Sequence, residues 1–320
     1  MIRYDQEIYQ TELNESVLDC LLRHGIVPPH SCRSGLCQTC MMRAVKGKPT
    51  EVSQQGLKEA LVSQNFFLPC ACVPQEDMEI VLPDTRLFRK ETYVIGKTLL
   101  SANVLRLRLA IPDNYQYLAG QYTTLFKNQS LGRCYSLASV PGVDDFLEFH
   151  IKLLPGGQIS QWLHHEVATG SSITISEAVG NCIYLDRYQQ RPMALIGTGT
   201  GLAPLTGIMR DALHKGHQGE IRIYHGVKTR HDLYLHETLV QLAQTHGNVR
   251  YFPCVSREPV TSPFYEGRAS ELAMNDIGKF AGWCVYLCGN PDMVNTTKRN
   301  AFLAGASFQD ICADPFIHSQ

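Results

Sequence analysis

The chain has 320 residues, of which 44% are hydrophobic and 18% are charged, and its formal net charge is -1. A chain of this length divides into two or three domains, and its nearly neutral charge argues against nucleic acid or an anionic membrane surface as a partner. No run approaches the ~18 apolar residues of a membrane-spanning helix and the N-terminal residues lack the apolar core of a signal peptide, so we expect a cytoplasmic protein without a membrane span.

The first eighty or so residues predict a small α+β unit. Weak alternation over residues 2–12 predicts a hairpin, and Asn14 is a suitable N-cap for a helix that ends at Gly25. This helix would place four apolar residues on one side, namely Val17, Leu18, Leu21 and Leu22. The other predicted features of the unit are strands over residues 41–45 and 78–82 and a domain boundary at Pro83-Asp84.

A cysteine-rich stretch lies inside this unit. Cys32, Cys37 and Cys40 have the C-x4-C-x2-C spacing that is typical of the ligands of a plant-type 2Fe-2S cluster, and Ser34-Gly35 allows the tight bend that such a loop needs. A structural zinc site would normally contain a second C-x2-C pair, and the 12 cysteines of a chain without a secretion signal do not suggest a disulfide framework. The pattern therefore predicts an iron–sulfur cluster.

Either Cys70 or Cys72 could supply the fourth thiolate. The stretch resembles the plant-type ferredoxin domain, in which the last ligand follows the third by 29 intervening residues and precedes a proline by four positions. Cys70 meets both conditions, and Cys72 meets neither. The resemblance therefore implies that Cys70 is the fourth ligand.

The middle of the chain predicts an antiparallel β-barrel, because short strands follow one another between turn residues. These strands are predicted over residues 93–99, 104–110, 121–126, 146–153 and 172–175. A glycine turn at residues 155–160 opens a helix, where free backbone N–H groups can meet a phosphate, and Arg133 can add a charged contact. Together these features predict a pyrophosphate site.

Two segments here resemble the flavin motifs of the ferredoxin–NADP reductase superfamily, which are Arg-x-Tyr-Ser and Gly-Gly-x-x-Ser. The resemblance implies that Arg133 and the turn hold the pyrophosphate of FAD, with Gly156, Gly157 and Ser160 as the turn residues. It also implies that Tyr135 packs on the flavin ring and that Ser136 forms a hydrogen bond near the reactive nitrogen, as a catalytic residue.

The last third of the chain alternates strands with helices, which predicts a parallel sheet covered on both faces. The strands are predicted over residues 193–196, 219–227, 249–255 and 283–288. Helices are predicted over residues 236–246, 269–274 and 292–304, and another has Pro204 in its first turn and ends at about His214. The same superfamily carries Gly-x-Gly-x-Ala-Pro and Cys-Gly-x-Pro here. The resemblance implies two walls of a nicotinamide groove, formed by Gly197, Thr198, Gly199, Gly201, Cys288, Gly289 and Pro291, with Cys288 shaping hydride transfer as a second catalytic residue.

The sequence leaves two points undecided near the nucleotide, the role of Phe316 and the choice between NADH and NADPH. Phe316 resembles the aromatic residue that covers the flavin, but it could equally be a hydrophobic plug. Ser256-Arg257 matches part of the family's site for the extra phosphate of NADPH, yet no Lys-x-Tyr follows. A phosphate normally needs more than one cation, so NADH is the expected donor and NADPH the alternative.

The order of the three units resembles the single-chain reductase components of bacterial oxygenases, such as those of benzoate dioxygenase, methane monooxygenase and toluene monooxygenases. The expected domains are residues 1–84 (2Fe-2S), 85–189 (FAD) and 190–320 (NAD(P)H). The implied function is transfer of electrons from NADH to FAD and then singly through the cluster to an oxygenase or another one-electron acceptor protein. We expect a monomer or weak homo-oligomer. The alternatives are a reductase for another cofactor enzyme, such as a deoxysugar dehydratase, and a redox-sensing protein.

Overall fold

The computed structural model describes residues 1–57, 59–83 and 89–316, and these residues form three sheets that follow one another along the chain. The predicted order of an α+β unit, an antiparallel barrel and a parallel-sheet unit is confirmed. No helix in these three ranges is long and apolar enough to cross a membrane.

The N-terminal unit is a five-stranded mixed sheet with a helix packed against it. Its elements are β1 (Ile2–Tyr4), β2 (Glu7–Tyr9), α1 (Val17–Arg23), β3 (Met42–Lys46), α2 (Glu51–Gln54), α3 (Glu59–Val62), β4 (Phe66–Phe67) and β5 (Met78–Val81). The strand order is β2-β1-β5-β3-β4, with β1 and β5 parallel and the other neighbours antiparallel. The chain between α1 and β3 contains neither a helix nor a strand, and it forms a long loop.

Helix α1 begins later than the sequence predicts. Its N-cap is Ser16, whose hydroxyl accepts a hydrogen bond from the backbone N–H of Asp19, whereas Asn14 has a left-handed φ of 59° in the preceding turn. The expectation for Asn14 was wrong because asparagine and serine are both good N-cap residues, and local preference does not separate them. The buried face of the helix consists of Val17, Leu18, Cys20 and Leu21, and not Leu22.

The second unit is a barrel of six antiparallel strands. Its elements are β6 (Arg89–Ser101), β7 (Val104–Ala110), β8 (Tyr122–Phe126), β9 (Gly132–Ser136), β10 (Phe146–Lys152), α4 (Gln158–His165) and β11 (Ser172–Ser176). The strand order is β10-β7-β6-β11-β8-β9, and a bridge between Leu137 and Phe149 links the two ends. The interior is filled by apolar side chains such as Leu107, Phe149 and Ile175, which are fully buried.

The sequence does not predict strand β9, because three of its five residues are glycine or polar and the segment lacks apolar alternation. Pairing with β8 nevertheless makes it a strand, with Tyr122 opposite Ser136 and Thr124 opposite Cys134. The flavin motif therefore lies on a sheet edge rather than in a loop.

The third unit is a six-stranded parallel sheet. Its elements are β12 (Met193–Thr198), α5 (Leu202–His214), β13 (Ile221–Val227), α6 (His236–Thr245), β14 (Val249–Val255), β15 (Tyr265–Glu266), α7 (Ala269–Ile277), β16 (Cys284–Gly289), α8 (Pro291–Leu303) and β17 (Ile311–Pro315). The strand order is β15-β14-β13-β12-β16-β17. The chain order reverses between β12 and β16, and ligands of open α/β sheets bind at the carboxyl ends of the strands at such a point.

Candidate functional site

The cluster loop, residues 31–40, is bent by three residues with left-handed backbone. These are Arg33 (φ 53°), Gly35 (φ 73°) and Gln38 (φ 57°). Arg33 also forms an ion pair with Asp19 of α1. Non-glycine residues rarely adopt this conformation, so the loop is strongly constrained in shape.

The four thiols that the sequence predicts lie at this loop in two pairs. The Sγ atoms of Cys40 and Cys70 are 3.5 Å apart. The backbone N–H of Cys37 donates to Cys32 Sγ at 3.4 Å, and that of Cys32 donates to Cys37 Sγ at 3.5 Å. Cys72, in contrast, is fully buried in the apolar core behind α1.

Further backbone N–H groups point at these sulfurs. Ser34 donates to Cys32 Sγ at 3.4 Å, and Gly35 donates to Cys70 Sγ at 3.3 Å. Thiolates bound to iron carry negative charge and are stabilised by such donors. The four thiols and their donors therefore fit a 2Fe-2S cluster.

The cluster loop is attached directly to the barrel through strand β8. The hydroxyl of Tyr122 donates to the backbone oxygen of Leu36 at 2.9 Å, and the hydroxyls of Thr39 and Thr124 are 3.0 Å apart. These two contacts lie on either side of Cys37 in the sequence. Cys37 is consequently held against the strand pair that carries the flavin motif.

One cavity of about 1330 Å³ extends from the cluster loop, along β9, to the carboxyl ends of the parallel sheet. Pockets for single drug-sized ligands are roughly 300–1000 Å³, so this cavity suits larger ligands such as dinucleotides. Twelve of the predicted site residues line it, namely Cys32, Cys37, Arg133, Tyr135, Ser136, Gly156, Gly157, Ser160, Thr198, Gly199, Gly289 and Phe316.

The barrel side of the cavity fits the pyrophosphate of FAD. Gly156 has a left-handed φ of 71°, and Gly157 is the N-cap of α4, so the first N–H groups of the helix are left for a ligand. Arg133 has no carboxylate partner among the described residues. Ser160 closes the turn, since its hydroxyl accepts from the N–H of Leu154 and donates to Gly157 O at 3.1 Å.

Ser136 is bound to a carboxylate from the far end of the chain. Its hydroxyl donates to Asp314 Oδ2 at 3.2 Å. Burial raises the pKa of Asp314 to about 6, and the hydrogen bond from Ser136 opposes this rise only in part. The pair joins the barrel to strand β17 beside Phe316.

We predict that Asp314→Asn stabilises the protein more at about pH 8 than at about pH 4. The folded chain binds the Asp314 proton more tightly than the unfolded chain, so the wild-type stability from this group is complete below pH ~4 and is lost as the pH rises through ~6. A difference of about two between the folded and unfolded pKa values of one group corresponds to about 3 kcal/mol in the free energy of unfolding. Calorimetry of the FAD-loaded protein at both pH values measures this difference, and an equal effect at both would contradict the prediction.

The nicotinamide side of the cavity is formed where β12 and β16 end. The hydroxyl of Thr198 accepts from the N–H of Asn290 at 2.9 Å, and the N–H of Phe316 donates to Gly289 O at 2.7 Å. A Cβ atom on Gly201 would lie 2.2 Å from the carbonyl oxygen of Cys288. The two predicted walls are therefore in backbone contact.

Four of the predicted nucleotide residues lie behind these walls and not on the cavity surface, namely Gly197, Gly201, Cys288 and Pro291. Cys288 is fully buried, and its Sγ is 3.9 Å from that of Cys182. Pro291 is the first residue of α8, where its missing N–H is harmless. The catalytic role of Cys288 stays a prediction.

At the other end of the groove, Ser256 and Arg257 both line the cavity, and Ser256 donates its hydroxyl hydrogen to Val227 O at 3.0 Å. Lys228 lines the same region and has no ion-pair partner among the described residues. The sequence analysis did not count Lys228 among the residues that could bind the extra phosphate of NADPH. Lys228 follows β13 and Arg257 follows β14, and only the pairing of these two strands brings the residues together.

His225 is a second residue that the sequence analysis did not identify. It is fully buried on β13, and its Nε2 lies 3.2 Å from Gly199 O, to which it donates as the neutral ring. Burial lowers the pKa of His225 to about 4, so the ring is uncharged near neutral pH. In the sequence, the only indication of this contact with the glycine turn is a single histidine within an apolar strand.

Three protein families match the chain in the order of the three sheets. Residues 3–75 match the 2Fe-2S iron-sulfur cluster binding domain, residues 91–184 the oxidoreductase FAD-binding domain, and residues 195–299 the oxidoreductase NAD-binding domain. The protein is therefore an oxidoreductase that uses a 2Fe-2S cluster, FAD and a nicotinamide nucleotide.

Relatives match almost the full length of the chain. The ferredoxin–NAD(P)+ reductase component of the naphthalene 1,2-dioxygenase system of Pseudomonas putida is 31% identical, over 99% of this chain and 98% of its own. A CDP-6-deoxy-L-threo-D-glycero-4-hexulose-3-dehydrase reductase of Yersinia pestis is 26% identical, over 98% and 96%. The crystal structure of an Amycolatopsis cytochrome P450 reductase superposes with a TM-score of 0.70 at 27% identity, over 98% of both chains. By sequence, by fold and by the thiols and cavity described above, the chain belongs to the family of ferredoxin–NAD(P)+ reductase components that combine a 2Fe-2S domain, an FAD-binding domain and an NAD-binding domain in one polypeptide.

Proposed function

We propose that this reductase takes electrons from NADH and delivers them singly to a protein of an oxygenase system, either a separate ferredoxin or the oxygenase component. The observation that carries the proposal is the single cavity, which is lined at one end by Cys37, in the middle by Tyr135 and at the other end by Thr198. The predicted sites for the cluster, the flavin and the nicotinamide thus open into the same space.

When bound, FAD supplies the conversion of a two-electron input into one-electron output, which neither the nucleotide nor the cluster can perform alone. The residues of this chain bind and orient it. We propose that Arg133 and the turn at Gly156-Gly157 hold the pyrophosphate, that Tyr135 packs on the ring, and that the Asp314 carboxylate orients the Ser136 hydroxyl.

The exposure of the four thiols suggests where electrons leave the protein. Cys37 and Cys40 are only 5% and 3% exposed and face the protein, whereas Cys32 and Cys70 are partly exposed. Electron transfer needs close approach of the two centres. We therefore propose that the acceptor docks on the side of Cys70, which is partly exposed and, unlike Cys32, does not line the cavity.

An oxygenase-system acceptor is favoured by the naphthalene dioxygenase relative, which covers the chain from end to end. The dehydrase reductase relative supports a second candidate acceptor, a deoxysugar dehydratase. We further propose that the domain boundaries lie near residues 84 and 189, of which Asp84 lies outside the described residues. We also propose that the protein is cytoplasmic and that it is a monomer or a weak homo-oligomer.

The test is anaerobic reduction of the purified protein by NADH or NADPH, followed by absorption spectra and by turnover with a purified 2Fe-2S ferredoxin. We expect both the flavin and the cluster to be bleached by NADH at a low concentration. Because Lys228 and Arg257 lie in the same cavity, NADPH is titrated in parallel, and a preference for NADPH would overturn the choice of donor. Failure to reduce both a purified ferredoxin and a purified oxygenase component, with the cluster fully reduced, would contradict the proposed acceptor class.

A further inference from the structure

Tyr234 lies between two buried histidines that belong to different units. Its ring is 5.3 Å from the ring of His150 and 5.5 Å from that of His225, measured between centroids, and both pairs are nearly perpendicular. His150 is on strand β10 of the barrel, whereas His225 is on β13 and Tyr234 precedes α6 in the parallel-sheet unit. Edge-to-face aromatic pairs at such distances are favourable. The three rings therefore form a continuous contact between the two units.

Hydrogen bonds fix the His150 ring and connect it to the Tyr234 hydroxyl. Nε2 of His150 lies 3.0 Å from Glu148 Oε1, and Glu148 Oε2 accepts from Arg108 Nε at 2.7 Å. Because an ion-paired carboxylate can only accept, Nε2 of His150 carries the hydrogen. Burial lowers the pKa of His150, which favours the neutral ring, so its Nδ1 is an acceptor. The Tyr234 hydroxyl, 3.3 Å from Nδ1, therefore donates a hydrogen bond that crosses from one unit to the other.

The far side of this contact is the glycine turn that is proposed to bind the nucleotide. His225 donates from Nε2 to Gly199 O at 3.2 Å. Thr198 and Gly199 line the cavity, and His150 lines it from the barrel. A chain of contacts thus runs from the barrel wall of the cavity, through the Tyr234 side chain, to the turn.

We propose that Tyr234 is a positioning residue, whose hydrogen bond to His150 helps to place the nicotinamide against the flavin. The inference rests on the proposed function, in which the cavity holds both groups. Three proposed nucleotide-binding residues, Thr198, Gly199 and Gly289, belong to the parallel-sheet unit and would move together with the nucleotide. The proposed flavin-binding residues belong to the barrel. Loss of the bond should therefore slow hydride transfer and leave the affinity for NADH unchanged.

A second tyrosine–histidine pair of nearly the same geometry supplies the control. The hydroxyl of Tyr184 is 3.2 Å from Nδ1 of His217, and the two rings are 5.6 Å apart at 80°. Tyr184 is 4% exposed and Tyr234 is 2% exposed, so replacement by phenylalanine deletes one buried hydroxyl in each case. Neither Tyr184 nor His217 lines the cavity. If the Tyr234 hydroxyl served only the stability of the fold, the two variants would behave alike.

The first measurement is anaerobic stopped-flow reduction of the full-length, FAD-loaded protein at increasing NADH concentrations. It separates the limiting rate of hydride transfer from the dissociation constant of NADH. Hydride transfer breaks a C–H bond of the nicotinamide and moves the hydrogen with both electrons to the flavin, so it depends on the separation of the two rings. In Tyr234→Phe we expect the limiting rate to fall about tenfold and the dissociation constant to change less than about twofold. Tyr184→Phe should match the wild type in both.

The second measurement does not depend on turnover. Hydrogen exchange of the backbone amides of residues 198–203, followed by mass spectrometry in the FAD-loaded protein without NADH, reports the opening of the glycine turn. We expect about fivefold faster exchange in Tyr234→Phe, which corresponds to the ~1 kcal/mol that one hydrogen bond usually contributes. His150→Leu removes the acceptor, and the double variant with Tyr234→Phe should exchange no faster than His150→Leu alone.

An unchanged limiting rate in Tyr234→Phe, or an equal fall in Tyr184→Phe, would overturn the proposal. A weaker affinity for NADH with an unchanged limiting rate would also overturn it, since Tyr234 would then serve binding alone. Additive effects of the Tyr234 and His150 substitutions on exchange would show that the two side chains act separately, against the proposal. If NADH does not reduce the flavin of the wild-type protein, the proposed function itself fails, and the exchange rates still decide whether this hydrogen bond holds the turn.

Discussion

Replacement of Cys70 by alanine is expected to remove the 2Fe-2S cluster, whereas replacement of Cys72, two residues away, is expected to leave it intact. Cys70 Sγ is 3.5 Å from Cys40 Sγ and accepts a hydrogen bond from the backbone N–H of Gly35, whereas Cys72 packs in the apolar core. We expect Cys70→Ala to lower the rate of NADH-driven reduction of cytochrome c by more than about 100-fold, because disturbing a residue that merely supports a metal ligand already costs roughly 10–100-fold.

Cys72→Ala is a matched control because it deletes the same atom from the same segment. It should cost about 1 kcal/mol of stability, as for other small deletions in a core, and should retain the visible spectrum of the cluster. Reduction of ferricyanide by NADH reports the flavin alone and should persist in both variants. Loss of the cluster from Cys72→Ala with retention in Cys70→Ala would reverse the ligand assignment.

The second large effect is expected for Gly201→Ala. The added Cβ would lie 2.2 Å from Cys288 O and 2.6 Å from Cys288 C, and both are backbone atoms that cannot move aside like the end of a side chain. The glycine turn and the end of β16 would have to separate. Forced separation of packed elements costs roughly 1–3 kcal/mol, so we expect the KM for NADH to rise about tenfold or more.

Gly247→Ala is the control for this substitution, because no atom lies within 4 Å of the added Cβ and its backbone is not left-handed. Steady-state kinetics with ferricyanide as acceptor measure the nucleotide site without involving the cluster. Equal KM values for NADH in Gly201→Ala and the wild type would show that the two walls need not touch.

The features that the sequence predicts well are those set by short-range chemistry. The cluster loop needs thiols at fixed spacing around left-handed residues, and the predicted phosphate turn needs Gly156 and Gly157 before a helix. Both can be identified within about ten residues of sequence. The alternation of strands and helices likewise predicts the parallel sheet, since each buried strand is an apolar run.

The features that the sequence does not predict depend on partners far along the chain. Strand β9 exists through its pairing with β8, and the sequence analysis did not predict β17, whose partner is β16. The hydrogen bond from the Tyr122 hydroxyl to Leu36 O joins residues 86 positions apart in two different units. Local pattern contains no information about which surfaces of two units face each other.

The attachment of the cluster loop to β8 has a consequence for how this reductase meets its partner. Tyr122 and Thr124 hold the loop from the same strand that pairs with the flavin motif, so the gap between the two redox centres is set by a single β-ribbon. We therefore expect the iron–sulfur unit to stay beside the barrel during turnover. The acceptor protein would then have to diffuse to the exposed side of the cluster, accept one electron there and leave.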